Sequence, residues 1–173
     1  MTRTSLDHHN CSFARTVDMI GDRWTLMILR DAFYGIRRFT DFKRRIGVTQ
    51  AVLSARLAKL VDHGLLDKQP VDGESVREEY RLTSRGRDLF PVVVALMQWG
   101  DRNVHFDEGP PVELFDTFTG AEMDRVEVSA GGTAIDLRKV GFRPGRGAKL
   151  ETIEEFGRVA VLSELNPAIY VRN

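Results

Sequence analysis

Residues 39–63 read FTDFKRRIGVTQAVLSARLAKLVDH, two short helical patterns separated by a glycine. Phe39-Thr40-Asp41-Phe42 opens a short basic helix. It ends at Gly47, where the lack of a Cβ admits the left-handed conformation of a tight turn. Thr49 is a good N-cap for the next element, in which Leu53, Leu57, Leu60 and Val61 follow one another at steps of four, three and one along a helix reaching His63. Gly64 ends it. A short helix, a glycine turn and an amphipathic helix together make the helix-turn-helix pattern.

On the N-terminal side, Phe13, Val17 and Ile20, then Trp24, Met27, Ile28 and Phe33, recur at three- and four-residue steps. Gly21 interrupts them, which predicts a break at Gly21-Asp22. Asp22 is placed to cap a second, strongly apolar helix over 23–32 at the centre of the core. On the C-terminal side the period changes. Leu65 to Lys68 and Arg77 to Leu82 read as two strands joined by the turn-rich stretch 70–75, a hairpin in the position of a wing. Thr83 is a cap for a final helix from Ser84 to about Asn103, with the stripe Leu89, Val92, Val93, Leu96 and Met97 followed by Trp99. Pro91 predicts a kink or a late start there. Gly109-Pro110-Pro111 then marks a linker, and short strands are expected over 112–118, 125–128, 133–142 and 158–162. The fold class is α+β, a winged helix-turn-helix over 1–104 with a small β-rich extension over 105–173.

Net charge is zero across the 173 residues, but it is unevenly divided. Residues 1–104 hold 17 Lys/Arg against 13 Asp/Glu, whereas residues 105–173 hold 8 against 12. The basic excess is also local: Arg37, Arg38, Lys43, Arg44 and Arg45 crowd a short stretch whose one acid is Asp41. Clustered cations of this kind suit phosphate neutralisation, and the plainer reading is a solvated helix face.

No run approaches the roughly 18 apolar residues of a membrane span, and the first twenty residues carry no secretory pattern, so a cytoplasmic protein is expected. The single cysteine, Cys11, excludes an intrachain disulfide and a cysteine-based metal cluster. His8, His9, His63 and His105 show no ligand spacing, so no metal site and no cofactor are expected. There is no nucleophile elbow and no phosphate-binding glycine loop. Glu78 and Glu79 fall in the hairpin, where solvent would leave them ordinary carboxylates. An enzyme is therefore not expected. The enzyme is the rival from a different class, and the more credible alternative is a winged-helix protein-interaction module that does not bind DNA.

The segment CSFARTVDMIGDRWTLMILRDAFYGIRRFTDFKRRIGVTQAVLSARLAKLVDHGLLDKQ, with REEYRLTSRGRDLFPVVVALMQWG, resembles the HxlR-type, MarR-like regulators over residues 11–101. The resemblance implies a dimeric bacterial winged helix-turn-helix repressor or activator of double-stranded operator DNA. It also implies that the helix starting near Thr49 enters the major groove, that the hairpin reaches a neighbouring groove or the backbone, and that the terminal helices form the dimer. With the leucines inward, Ala51, Ser54, Ala55, Ala58 and Lys59 face outward, flanked by Gln50 and Arg56. On that basis Ala51 and Ala55 would meet thymine methyls, Gln50 adenine, Arg56 guanine or phosphate, and Lys59 phosphate. Thr40, Thr49 and Ser54 complete the expected contact surface. Arg37, Arg38, Lys43, Arg44 and, in the wing, Arg77 are phosphate contacts rather than base readers.

Two places are candidates for sensing. Cys11 sits just before the first helix, where unsatisfied backbone N–H groups favour a thiolate, and an inert cysteine is the alternative. Phe13, Trp24, Phe33, Phe90 and Trp99 line either a pocket for a small aromatic or electrophilic effector or a dimer interface. The stretch TGAEMDRVEVSAGGTAIDLRKVGFRPGRGA resembles the zinc-ribbon-like extension of longer HxlR-type proteins. Here Thr119-Gly120 and Ser129 to Gly132 stand where that pattern has cysteines, so metal binding is not carried over.

Overall fold

A computed structural model of the chain describes residues 5–71, 74–135 and 140–165, with side chains described for these except 74–77 and 158–165. The described residues fall into two compact units, one over 13–126 and the other formed by the residues up to 12 together with those from 127 onward.

In the first unit, helix α1 (Ser12–Ile20) gives way at Gly21 to α2 (Arg23–Phe33). Asp22 caps α2 as its position predicts, its carboxylate accepting from the backbone N–H groups of Trp24 (3.0 Å) and Thr25 (3.2 Å). Helix α3 (Phe39–Ile46) ends on Gly47 in the left-handed conformation, φ 73°. Helix α4 (Gln50–Asp62) starts on Thr49, whose hydroxyl accepts from Val52 N–H. The core is the place where these helices meet. Ile28 and Leu29 from α2, Phe42 from α3, and Leu53, Leu57 and Leu60 from α4 are completely buried together, with Leu65 and Leu66 closing the floor.

Strands β1 (Leu66–Val71) and β2 (Glu74–Leu82) form the antiparallel wing, with Leu66 opposite Leu82 and Lys68 opposite Tyr80. The hairpin is longer than the sequence pattern indicates, because pairing continues to Val71 and Glu74 past an irregularity at Pro70, an edge position that needs no proline N–H. Tyr80 N–H donates to the Arg37 carbonyl (2.9 Å), which ties the wing to the chain entering α3. The expected final helix is two pieces, a single turn α5 (Ser84–Arg87) capped by Thr83 and the long α6 (Phe90–Asn103). Pro91 sits in the first turn of α6, where its missing N–H costs nothing, so the proline produces the late start. Residues 105–126, grouped with the extension from sequence, lie in this first unit. Gln98 on α6 holds them, donating to the Asp124 carbonyl (3.0 Å) and accepting from Val126 N–H (2.8 Å).

The second unit holds the two-residue strands β3 (Ser129–Ala130) and β4 (Thr133–Ala134) and helix α7 (Leu150–Leu165). Three expectations are corrected here. Of the strand expected over 112–118 only an isolated bridge remains, Phe115 with Glu122, and 125–128 forms no strand. The strand over 133–142 shrinks to Thr133–Ala134, with 136–139 outside the described residues. The strand expected over 158–162 is the second half of α7. A short apolar run such as Arg158-Val-Ala-Val-Leu162 has no strand signature of its own, and the preceding Leu150, Ile153 and Phe156, three residues apart, carry the helical period through it. Asn10 caps α7 from far away in sequence, its amide oxygen accepting from Lys149 N–H (2.9 Å) and the Thr152 hydroxyl (3.0 Å). Among the described residues no helix is long and apolar enough to cross a membrane.

Candidate nucleic-acid interface

Helix α4 sorts its side chains by angle. At about 100° per residue, Leu53, Leu57 and Leu60 fall on one side and are completely buried. Ala51, Ala55 and Ala58 fall on the other side with Ser54 at its margin, and all four are exposed; Gln50, about 60° from Leu53, is exposed at the first position of the helix. None of these is longer than glutamine, so the backbone can come close to a surface. The helix has 13 residues. That length is about 20 Å at 1.5 Å per residue, and a helix about 10–12 Å across fits a major groove about 12 Å wide.

The two cations of α4 are used elsewhere. Arg56 lies roughly 160° round the helix from Ala58, beside the leucines. Its guanidinium grips Asp22 with both arms, Nε to Oδ1 at 2.9 Å and Nη2 to Oδ2 at 3.2 Å. Lys59 donates from Nζ to the Asp18 carbonyl at 2.7 Å. The sequence pattern puts both residues at a base edge or a phosphate; in the structure their head groups reach the junction of α1 and α2. Burial pushes the Asp22 carboxyl up, but the Thr25 N–H, the Arg56 guanidinium and the Trp24 N–H outweigh it and hold the group below its usual pKa of 3.8.

The basic run on and before α3 divides in the same way. Arg45 turns inward and, with Arg30, converges on the completely buried carboxylate of Asp31, at 3.1 and 2.7 Å. That contact holds the Arg45 guanidinium above its ordinary pKa. Arg44 pairs with Asp41 one turn earlier at 2.8 Å, and Arg38 reaches Glu79 at 3.6 Å while remaining half exposed. Arg37 and Lys43 are exposed, and no carboxylate among the described residues holds either one. Thr40 is exposed in the first turn of α3. Asp41 in the first turn and three cations in the last also complement the helix dipole, which is the structural part of the run's role.

Between the start of α4 and the wing lies an open groove of about 340 Å³ lined by Phe39, Gln50, Ser54, Lys68, Glu78 and Tyr80. Lys68 and Glu78 pair across the wing strands at its edge, and that bond raises the Lys68 pKa. Sequence reasoning misses Lys68; its position opposite Tyr80 across a hairpin shows it only once the register is known. Glu79 is corrected as well. Its side chain is only 12 % exposed, held by Arg38 and Arg81, so it is a structural carboxylate and not a solvated one. Arg77 falls on β2, and its side chain lies outside the described residues.

The five aromatic candidates are not gathered into one place. Phe33 and Phe90 meet as tilted rings with centres 5.2 Å apart, and Trp24 packs against the edge of the core under Arg23. Phe13 on α1 and Trp99 on α6 stand 78 % and 59 % exposed, with Val92 and Leu96 also outward on α6. Cys11 is exposed.

Residues 19–108 match the model of the HxlR-like helix-turn-helix family. A protein of Mycobacterium tuberculosis named as an uncharacterized HTH-type transcriptional regulator is 45 % identical over 139 residues, covering 80 % of this chain and 88 % of that protein. Among solved structures, PA1607, described as a candidate transcription factor, superposes with a TM-score of 0.75 at 38 % identity over 83 % of this chain and 99 % of its own. The redox regulator HypR in its oxidized form superposes with a TM-score of 0.52 at 30 % identity, over 56 % of this chain and 100 % of its own.

Proposed function

The chain belongs to the HxlR-like helix-turn-helix family of transcriptional regulators, and from that premise we propose that it is a cytoplasmic homodimer that reads operator DNA through α4 and the wing. One observation carries the reading. The outward face of α4 is a strip of small and polar side chains opposite a completely buried leucine face, with the groove of the wing on one flank and exposed cations of the α3 region close in sequence. Gln50, Ala51, Ser54 and Ala55 would meet base edges, with Thr49 at the backbone next to them. Arg37, Arg38, Thr40, Lys43, Arg44 and Arg77 would hold phosphates, which set register and affinity but carry no sequence information. The rival reading, a winged helix kept only for protein contact, gives no role to exposed cations such as Arg37 and Lys43, before and on the helix that precedes this one.

The second copy is supported by apolar surface. Phe13, Val92, Leu96 and Trp99 lie outward on α1 and α6, the helices on either side of the DNA-reading core in sequence, and surface of this kind is normally covered by a partner. It favours an interface over an effector pocket for these residues. Light scattering on the 19.6 kDa chain should give twice that mass, and Trp99→Asp should return it to a monomer.

DNA binding is tested by fluorescence anisotropy with duplex from the chain's own upstream intergenic region, at two salt concentrations, followed by DNase protection. A protected, roughly palindromic site with half-sites one helical turn or a multiple apart supports the reading. Equal affinity for random duplex, or none at all, contradicts it. A redox response through Cys11 is a second reading, supported by the exposed thiol and by the likeness to HypR. Operator release by oxidant that persists in Cys11→Ser would remove it.

A further inference from the structure

We propose that Arg56 and Lys59 are positioning residues that set the angle at which α4 presents its outward face, by bracing it on the α1–α2 corner, and that neither contacts DNA. The inference rests on the operator-reading role of α4. The two residues are one turn apart on the same side of the helix and reach different elements. Arg56 takes the carboxylate that caps α2, and Lys59 takes a carbonyl in the last turn of α1, where helix carbonyls lack intrahelical partners and the dipole favours a cation.

The corner they hold is stiff. Gly21 N–H donates to the Val17 carbonyl at 2.7 Å, and a Cβ at Gly21 would stand 2.5 Å from that oxygen and 2.8 Å from Val17 Cγ1, so the chain passes there only as glycine. Asp22 is pinned in turn by the N–H groups of Trp24 and Thr25 and, more weakly, by the Thr25 hydroxyl. The leucine face keeps α4 on the core, but apolar attraction is non-directional and leaves the helix able to roll and slide. A forked guanidinium–carboxylate pair is directional, and a second tie one turn away removes the remaining rotation. Base readout depends on that angle, whereas phosphate contacts tolerate small changes in it. The ties therefore govern the difference between operator and random DNA.

The test uses the full chain, the duplex protected in the footprint and a random duplex of equal length, with anisotropy across a salt series. Asp22→Asn keeps the oxygen that caps α2 and removes the charge and the acceptor of the second guanidinium arm, so it weakens the fork to a single neutral hydrogen bond without breaking the cap. Arg56→Met and Asp22→Asn should each lower operator affinity by about tenfold, and the double variant should lose little more, because one interaction is being removed. Affinity for the random duplex should stay within about twofold, with an unchanged slope of log affinity against log salt. Arg56→Lys should not restore operator affinity, since a point charge lacks the fork. Lys59→Met should act in the same direction with a smaller loss. Thermal unfolding checks that each variant is folded, and Asp22→Asn carries the test if Arg56→Met is not.

If Arg56 or Lys59 held a phosphate, its removal would lower the salt slope by about 0.9 per phosphate and weaken both duplexes alike. Asp22→Asn would then tighten binding by removing a nearby negative charge, and Arg56→Lys would rescue it. Any of these results overturns the inference while leaving the operator reading standing. A wild-type chain that protects no duplex overturns the operator reading, and this inference with it.

Discussion

The cations at α3 and those of α4 are chemically alike and a dozen residues apart in sequence, yet they end in different surroundings. Arg37 and Lys43 stand in solvent, and Arg38 is only half covered. Arg56 and Lys59 are drawn into the joint between helices, and Arg45, next to Arg44, is spent on a buried carboxylate. The difference comes from helix angle, since a long basic side chain close to an apolar stripe meets the acids and carbonyls of its neighbours before it meets a ligand. Charge counted along the sequence therefore overstates the surface available to a polyanion. The sorting can be broken or sharpened by experiment, starting from its most buried member.

Asp31 should give the largest effect. Its carboxylate is completely buried and holds both Arg30 and Arg45, so Asp31→Ala should cost about 3 kcal/mol in urea unfolding, the order seen when one partner of a buried pair is removed. A loss below about 1 kcal/mol would mean that the two arginines are adequately served by water.

Reversing charge at the exposed positions comes next and reads out in binding rather than in stability. Arg38→Glu with Lys43→Glu should weaken operator and random duplex together and reduce the salt slope by at least about 0.9 for each phosphate no longer neutralised. Unchanged salt dependence would remove these residues from the interface.

Asp22 gives a smaller effect, confined to acid. Because its folded pKa lies below the ordinary 3.8, its contribution is fully present above that value and is lost as pH falls through the lower, folded pKa. Unfolding followed from pH 6 to pH 2 should show this loss in the wild type and not in Asp22→Asn. Smallest of all is the exposed pair Arg44–Asp41. Arg44→Ala should change stability by no more than about 0.5 kcal/mol, because exposed ion pairs contribute little in water.

Much of this fold is legible in the sequence because its signals are local. Asp22, Thr49 and Thr83 cap where a side-chain oxygen precedes a helical period, Gly47 turns where the chain needs a positive φ, and the leucines of α4 name their own buried face. The exposed strip of the candidate interface follows from the same periodicity. The fates of Arg56 and Lys59 are half legible: position on the wheel places Arg56 beside Leu53 and Leu60, but Asp22 as its partner requires knowing that the start of α2 packs there. Asp31 is less visible still. A lone acid within LMILRDAF signals something buried and paired, without saying that Arg45, fourteen residues on, is the partner. The C-terminal region is the least legible. From Arg102 to Ala134 only Leu114 is half-buried and the rest are exposed, so no burial pattern exists there to mark strands, and β-branched composition alone is a poor guide to 158–162.

The central claim is that the face of α4 bearing Ala51, Ser54, Ala55 and Ala58 lies in the groove of a specific duplex. It is tested most directly by placing a cleaving group on that face, with an iron chelate tethered through Ala58→Cys in a Cys11→Ser background and the cuts mapped on the footprinted duplex. Cuts clustered inside each protected half-site, and absent from a random duplex, are the predicted result. Cuts only at the flanks, or spread evenly along both duplexes, would contradict the account.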